Sequence, residues 1–458
     1  GLRGTCDPPD RGYFRAESRV CHPAMSTQRA NFDWRPQPEA ARFIRQIVDG
    51  FCNRSDKLAS FREQLLQLTA TRLIDWFDHI TLSELEPTIG HLAKVGFEPE
   101  SAVEAGKISW RNKAGLFPVV RVGGDVSGLA IRVDSIDDFL AATGRVTGET
   151  LPFNWPPPGP YRKVQSFLDH GIELCAVERH GTAGFAAQRV TPAKIELVAE
   201  HLAAFRARKR KSLDCQEGFD DARAKFNFAA DALGIGWACD LFFQSEREFW
   251  QSRNKAARTH YARQQRLGLG WGHHAHHTYR CSRRWFAPLI ALLEIMGFTC
   301  RERFYAGDQA GWGAQVLQHA ACGLVVFADV DLSPDEVASD FAHQPMPDRK
   351  ELGTVGLWCR LHGESLLAAG MHHLECQFDF DNARTQLATA GIDTMAPFTH
   401  LPYLKQAFTV AERWKVAEER VHALVADQLI TAEEAGVFRA QGALGSHLEI
   451  LQRDDGYK

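Results

Sequence analysis

The sequence lacks an apolar run long enough to span a membrane, because its longest apolar stretch, Trp285 to Phe298, is interrupted by Pro288 and Glu294. It also lacks an excess of positive charge, since it has 53 Lys and Arg residues and 57 Asp and Glu residues. We therefore expect neither a membrane partner nor a nucleic-acid partner. The first 24 residues contain no apolar segment typical of a secretory signal, so the predicted location is cytoplasmic.

Motifs that identify several common enzyme classes are also absent. The sequence has no phosphate-binding loop, no dinucleotide-binding glycine fingerprint, no nucleophile elbow of the serine hydrolases and no His-Glu-x-x-His metal motif. The 11 cysteines form no Cys-x-x-Cys pair and lie mostly within apolar segments. This distribution indicates reduced, buried thiols and argues against a zinc site made of cysteines alone.

The chain has 458 residues, of which 45% are hydrophobic and 24% are charged, so we expect a globular protein with two or three packed units. The basic run 206–211 is predicted to be a solvated helix end. The predicted boundaries are 1–30 for a disordered extension, 31–150 for a helical cap and a first repeated unit, 151–265 for a linker and a helical insert, and 266–458 for two further units with a C-terminal strand.

A supersecondary unit of the form β-α-β-β-β is predicted to recur along the chain. In the first unit, a strand around His79 precedes a helix, and short strands follow at 107–111, 116–122 and 127–133. Each unit has a histidine in its first strand and a glycine that closes its helix 17 to 20 residues later. These pairs are His79 with Gly96, His277 with Gly297, and His373 with Gly391.

Four histidines fall within five positions at the start of the second unit: His273, His274, His276 and His277. Because strand side chains alternate between two faces, His273 and His277 are predicted to share one face, and His274 and His276 the other. Only one of these faces can look into a site. His277 is favoured, because it is nearest to the body of the strand.

The last predicted strand, 446–453, carries Leu448 and Ile450 on one face and Glu449 on the other. Two neutral imidazoles and one carboxylate on neighbouring strands make a facial triad that binds a divalent metal, Fe(II) best of all. Each candidate also has an ordinary explanation: a buried hydrogen-bonded histidine for His79 or His373, and a solvated strand residue for Glu449.

These segments resemble the 2-oxoadipate dioxygenase/decarboxylase family of the vicinal oxygen chelate superfamily. In that family a first-strand histidine precedes a helix with a glycine turn, a His-x-x-His segment runs into an arginine, and a glutamate lies in a late strand that ends near an arginine. Here His79, segment 274–280 and segment 448–453 occur in the same order. The likeness covers about residues 70–135 and 265–330 and the last strand. It implies an α+β fold in which the repeated units form a curved mixed sheet around a metal site.

The resemblance implies that His79, His277 and Glu449 bind Fe(II), with Zn, Mn or Ni as other candidate metals and His373 as an alternative ligand to His79. It also implies an oxygenase, a non-haem dioxygenase or decarboxylase, whose partners are O2 and a small 2-oxo acid. A redox-silent metal-dependent isomerase or lyase, and a metal-free binding protein, stay open as alternatives.

Two arginines are predicted to bind the substrate carboxylates. The family's arginine just after the first histidine is missing, and Arg453 is expected to replace it, about 13 Å along the strand from Glu449. Arg280 follows His277 by three residues and would need a local bulge to face the metal.

Overall fold

The computed structural model describes residues 34–84, 86–87, 89–147, 158–188, 190–211 and 215–457. The predicted extension at 1–30 and residues 151–157, at the start of the predicted linker, lie outside these residues. In the described part, no helix is both long and apolar enough to cross a membrane.

The described part is a mixture of helices and strands, as predicted. The helices are α1 Pro38–Arg54, α2 Asp56–Thr69, α3 Ile89–Leu92, α4 Ile136–Thr147, α5 Pro192–Arg206, α6 Cys215–Leu233, α7 Ile235–Ser252, α8 Lys255–Gln265, α9 Arg283–Ile295, α10 Pro334–Val337, α11 Thr354–His362, α12 Phe380–Thr389, α13 Glu418–Ala426 and α14 Ala432–Gln441. The strands are β1 Phe77–Leu82, β2 Phe97–Glu104, β3 Lys107–Asn112, β4 Val119–Val122, β5 Ser127–Arg132, β6 Tyr161–Asp169, β7 Ile172–Arg179, β8 His274–Arg280, β9 Thr299–Tyr305, β10 Trp312–His319, β11 Leu324–Asp331, β12 His373–Gln377, β13 Thr399–Leu401, β14 Leu404–Phe408, β15 Arg413–Trp414, β16 Ala443–Leu444 and β17 His447–Arg453.

The first sheet has the strand order β2-β3-β4-β1-β5-β7-β6. It contains two units: β1 to β4 form a complete βαβββ unit, and β5, α4, β6 and β7 form a shorter one. The prediction that 127–133 closes the first unit is therefore wrong, because this strand opens the second unit and pairs antiparallel with β1. The strand that the prediction missed, Phe97–Glu104, is mostly exposed, so its sequence has no apolar alternation.

Strands β6 and β7 lie in a stretch that was predicted to be linker and insert. They form an antiparallel hairpin, and β7 joins β5 in parallel. The turn between them, His170-Gly171, has positive φ at both residues, as a two-residue hairpin with a type I′ turn requires.

The second sheet has the order β13-β14-β17-β12-β8-β11-β10-β9 and is built from two equivalent halves. One half is β8, α9, β9, β10 and β11, and the other is β12, α12, β13, β14 and β17. Both halves have the same strand order from centre to edge, and β8 and β12 meet antiparallel at the centre. This arrangement confirms the predicted α+β fold of repeated βαβββ units. The two-stranded sheet β15–β16 and the helices α13 and α14, which lie between its strands, are inserted before β17.

Helices cover one face of each sheet. The predicted helical cap, α1 and α2, packs against the first sheet through side chains such as Ile44 and Phe61. The insert helices α5 to α8 bury Phe226, Phe242 and Trp250 against one face of the second sheet. The strand residues on that helix-covered face include Tyr279, Leu374, Leu448 and Ile450. The alternate residues of β8, β12 and β17 therefore point to the opposite, open face.

Candidate metal centre

Two histidines and two glutamates gather on the open face of the three central strands of the second sheet. Glu375 of β12 stands opposite His276 of β8 and next to Glu449 of β17 in the strand register. His373 lies two residues before Glu375 and so shares its face. Strand pairing therefore brings together His276, His373, Glu375 and Glu449, and we call these four side chains the central cluster.

The side chains of the central cluster form two imidazole–carboxylate pairs. His276 Nδ1 lies 2.7 Å from Glu375 Oε1, and His373 Nε2 lies 3.2 Å from Glu449 Oε2. Both glutamates are almost fully buried, whereas the side chains of His276 and His373 remain 19% and 12% exposed. The cluster is thus packed into the sheet and still accessible from the open face.

Gln406 and Arg453 hold the two carboxylates in place. The Gln406 side-chain amide donates hydrogen bonds to Glu375 Oε2 at 3.0 Å and to Glu449 Oε1 at 3.1 Å. An Arg453 guanidinium nitrogen lies 3.7 Å from Glu375 Oε1. One amide and one guanidinium therefore orient two buried carboxylates that would otherwise repel each other.

The charges of the cluster are strongly coupled. Burial raises the pKa of Glu449, and the neighbouring Glu375 carboxylate raises it further. Burial also acts to raise the pKa of Glu375, but the charges of His276 and Arg453 outweigh it and lower that pKa. Burial, together with His447 and Arg280, lowers the pKa of His373, which keeps its imidazole neutral near pH 7. We infer that the pair of carboxyl groups keeps one proton when no cation is bound.

The donor set fits a divalent metal ion. Neutral imidazoles and carboxylates are the ligands that Fe, Mn, Zn and Ni take in proteins. A divalent cation would neutralise two adjacent buried carboxylates, which is otherwise a costly arrangement. The residues that would hold it are those of the central cluster.

The structure places the predicted ligands in three different surroundings. Glu449 and the alternative ligand His373 lie together in the central cluster. His277 lies on the helix-covered face, 3.3 Å from an Arg247 guanidinium nitrogen and against the Phe243 ring.

His79 belongs to the first sheet and is fully buried there. Its Nδ1 lies 2.6 Å from Asp78, which also binds Arg179, and its ring packs on Phe185. Burial lowers the pKa of His79, the Asp78 contact notwithstanding. The structure therefore does not bring His79, His277 and Glu449 together.

Sequence reasoning missed His276 and Glu375. The signal for His276 was available, because strand alternation separates it from His277 and only one of the two can face the open side. Glu375 follows His373 by two residues and so shares its face, but only the pairing of β12 with β17 shows that it stands beside Glu449.

The two predicted substrate-binding arginines lie on the open face, on opposite sides of the cluster. Arg280 follows His276 by four residues, so it shares that face without a bulge, and its guanidinium lies 5.7 Å from the Trp358 ring. Arg453 is four residues beyond Glu449 along the backbone, yet its side chain turns back toward Glu375. Arg453 was expected to lie about 13 Å from the metal-bound end of the site. Its long side chain instead extends toward the buried, negatively charged Glu375.

No protein-family model and no curated protein matches this chain. Among solved structures, it is similar to a mutant of 4-hydroxymandelate synthase from Streptomyces coelicolor, with 11% identity over 83% of this chain and 93% of that chain and a TM-score of 0.24. It is also similar to a xylose isomerase-like TIM barrel/4-hydroxyphenylpyruvate dioxygenase fusion protein, with 12% identity over 87% and 53% of the two chains and a TM-score of 0.21. A catechol 2,3-dioxygenase has 10% identity over 83% and 88% of the two chains and a TM-score of 0.18.

Proposed function

We propose that the protein is a non-haem Fe(II)-dependent dioxygenase or decarboxylase that acts on a small chelating substrate such as a 2-oxo acid. The metal ligands in this proposal come from the central cluster: His276, Glu375 and Glu449, with His373 as a fourth donor. One observation carries the proposal, namely that two imidazole–carboxylate pairs lie side by side on the open face where two βαβββ units meet. When bound, Fe(II) supplies Lewis-acid and redox chemistry toward the substrate and O2.

The surrounding side chains support the binding of an anionic substrate. Arg453 adjoins the cluster and can pair with a carboxylate held there, while Arg280 lies farther along the same face and suits a second acidic group. Half-buried Phe327 and Phe408 pack against the rings of His276 and His373 and would shield the reacting groups from water. Gln406 keeps both carboxylates oriented.

A redox-silent isomerase or lyase is the second candidate. The second carboxylate, Glu375, favours it, because an oxygen-rich ligand set suits Mn, Zn or Ni acting purely as a Lewis acid. Oxygen consumption separates the two candidates: a dioxygenase consumes O2 in proportion to substrate, and an isomerase or lyase converts its substrate under anaerobic conditions.

Metal analysis of neighbouring histidine variants tests the proposed site. Tag-free protein reconstituted with Fe(II) is expected to hold about one iron ion per chain and to consume O2 with a 2-oxo acid. His276→Gln and Glu449→Gln should lose most of the bound iron, because each removes a proposed ligand. The matched control His277→Gln changes the adjacent residue on the opposite strand face and should retain it.

Two results would overturn this assignment. The first is less than half an equivalent of metal in the reconstituted wild-type protein. The second is loss of metal in folded His79→Gln and His277→Gln variants with retention in His276→Gln, which would favour the ligands that the sequence resemblance implies.

The role of Arg453 is tested by steady-state kinetics. Arg453→Gln should raise the KM for a 2-oxo acid about 10- to 100-fold, since a charge-assisted hydrogen bond contributes roughly 1.5 to 3 kcal/mol. Arg453→Lys, which keeps the charge, should recover part of this loss. An unchanged KM and kcat in Arg453→Gln would exclude the residue from substrate binding.

A further inference from the structure

We propose a second metal site, of the zinc class, formed by Cys239, His319 and Cys322. One potential ligand atom from each of these three side chains lies within 4.8 Å of the other two. The residues come from helix α7, from the end of strand β10 and from the turn after it. The ligands are thus brought together by tertiary structure and not by a sequence motif.

The three side chains are buried together on the helix-covered side of the second sheet. Cys239 is fully buried, and His319 and Cys322 are 5% and 3% exposed. The His319 ring packs on Phe298, and its Nε2 has no hydrogen-bond partner among the described residues. Cys239 and Cys322 belong to the apolar core shared with the insert helices. The site is therefore separate from the central cluster, which faces the open side.

The two thiol groups and the imidazole of this site favour Zn²⁺ among the common metal ions. Thiolate and imidazole are soft and borderline ligands, and two cysteines with one histidine make a set that Zn²⁺ takes in tetrahedral sites. Two thiolates balance the two positive charges of the ion, so the loaded site adds no net charge to a buried region. A water molecule would complete the four-coordinate shell.

The location of the site indicates a structural role. Cys239 belongs to the insert, while His319 and Cys322 belong to the second sheet. Arg132, at the end of β5 in the first sheet, donates a hydrogen bond to the Cys322 carbonyl oxygen at 3.4 Å. A metal bound here would fasten the insert to the second sheet at the point where the first sheet also makes contact, and its binding free energy would stabilise the fold.

Cobalt(II) titration of the full-length apoprotein tests this site. Cobalt is used because its bond to a thiolate gives a near-ultraviolet charge-transfer absorption, which the sulfur-free central cluster cannot produce. At saturating cobalt we expect this band to have the intensity of one cobalt–dithiolate site per chain, both in wild-type protein and in Glu449→Gln. The band should be absent in Cys322→Ser and retained in Cys376→Ser, a control that removes a buried thiol elsewhere in the same core.

A second measurement needs no variant. Zn²⁺ added to the unmodified apoprotein should slow the alkylation of Cys239 and Cys322 at least tenfold more than the alkylation of the buried Cys376, read by mass spectrometry. The absence of a cobalt-thiolate band together with unprotected alkylation would overturn the proposal. A Cys239–Cys322 disulfide in protein that binds no zinc after reduction would also overturn it.

Discussion

At the scale of the residue, strand alternation decides which of two adjacent histidines faces the candidate site. His276 and His277 differ by one position, yet one contacts Glu375 on the open face and the other packs under Arg247 and the insert helices. A shift of one residue in a strand transfers every side chain to the other face. The same rule places Arg280 on the open face, because it follows His276 by an even number of residues.

Another single histidine makes stability depend on pH. His260 in α8 is fully buried against the Phe378 ring, and neither of its ring nitrogens has a hydrogen-bond partner among the described residues. Burial, assisted by the charge of Arg263, lowers the pKa of His260 from 6.5 to about 3. Between these values the unfolded chain binds a proton that the folded protein does not, so this group lowers the free energy of unfolding as pH falls below 6.5.

We predict that His260→Phe weakens this acid sensitivity. The decrease in the free energy of unfolding from pH 7 to pH 5 should be about 2 kcal/mol smaller in the variant than in the wild type, because one such group contributes up to about 1.4 kcal/mol per pH unit. Urea unfolding at the two pH values measures this difference. The exposed His422→Gln serves as the control, and an equal decrease in His260→Phe and wild type would contradict the prediction.

At the scale of the element, a buried ion cluster attaches the insert to the second sheet. Glu246 of α7 accepts hydrogen bonds from Arg208 at 2.7 Å, from Arg210, and from the Tyr279 hydroxyl of β8 at 3.1 Å. The prediction that the basic run 206–211 is a solvated helix end is therefore wrong for Arg208 and Arg210, which are buried. Nothing in the sequence indicated that these two arginines are buried, because Glu246, their acidic partner, lies more than 30 residues away along the chain.

Glu246→Gln should lower the free energy of unfolding by about 3 to 5 kcal/mol, since it leaves two buried guanidinium groups without their counter-charge. Glu248→Gln is the matched control: Glu248 pairs with Arg206 at 2.6 Å at the surface, where loss of an ion pair costs less than about 1 kcal/mol. Guanidinium chloride unfolding followed by circular dichroism measures both variants. Equal effects of the two substitutions would contradict the predicted role of the buried cluster.

At the scale of the whole molecule, the two sheets are connected where one begins and the other ends. Arg72, which precedes β1 of the first sheet, donates hydrogen bonds to Asp454 Oδ1 at 2.7 Å and to the carbonyl oxygen of Arg453 at 3.0 Å. Asp75 also pairs with the Arg72 guanidinium. The chain that enters the first sheet is thus fixed to the end of β17, the strand that carries Glu449.

We predict that Arg72→Gln lowers the free energy of unfolding by about 1 to 3 kcal/mol, the range for hydrogen bonds to charged groups, because it removes the Arg72 hydrogen bonds to Asp454 and Arg453. Arg54→Gln is the control, since Arg54 pairs with Glu86 at a more exposed position, and it should cost less than about 1 kcal/mol. Tryptophan fluorescence in a urea titration measures both variants. A loss no greater than that of Arg54→Gln would show that the contact is not a structural link.

Much of the fold could be predicted from the local periodicity of the sequence. The strand–helix–glycine spacing identified three of the four units. The sequence Thr431-x-x-Glu434 is typical of a capping box, and it begins α14 in the structure. The alternation of Leu448, Glu449 and Ile450 also indicated which face the glutamate occupies. These features depend on neighbours within about one turn or one strand, so the sequence by itself determines them.

Only the tertiary structure decided the rest, because it depends on strand register and on contacts between distant segments. Register selected His276 over His277 and placed Glu375 beside Glu449. Long-range packing brought Glu246 to Arg208, and Cys239 to His319 and Cys322 across some 80 residues. No periodicity along the chain encodes such pairs, since each is created when separate elements fold onto one another.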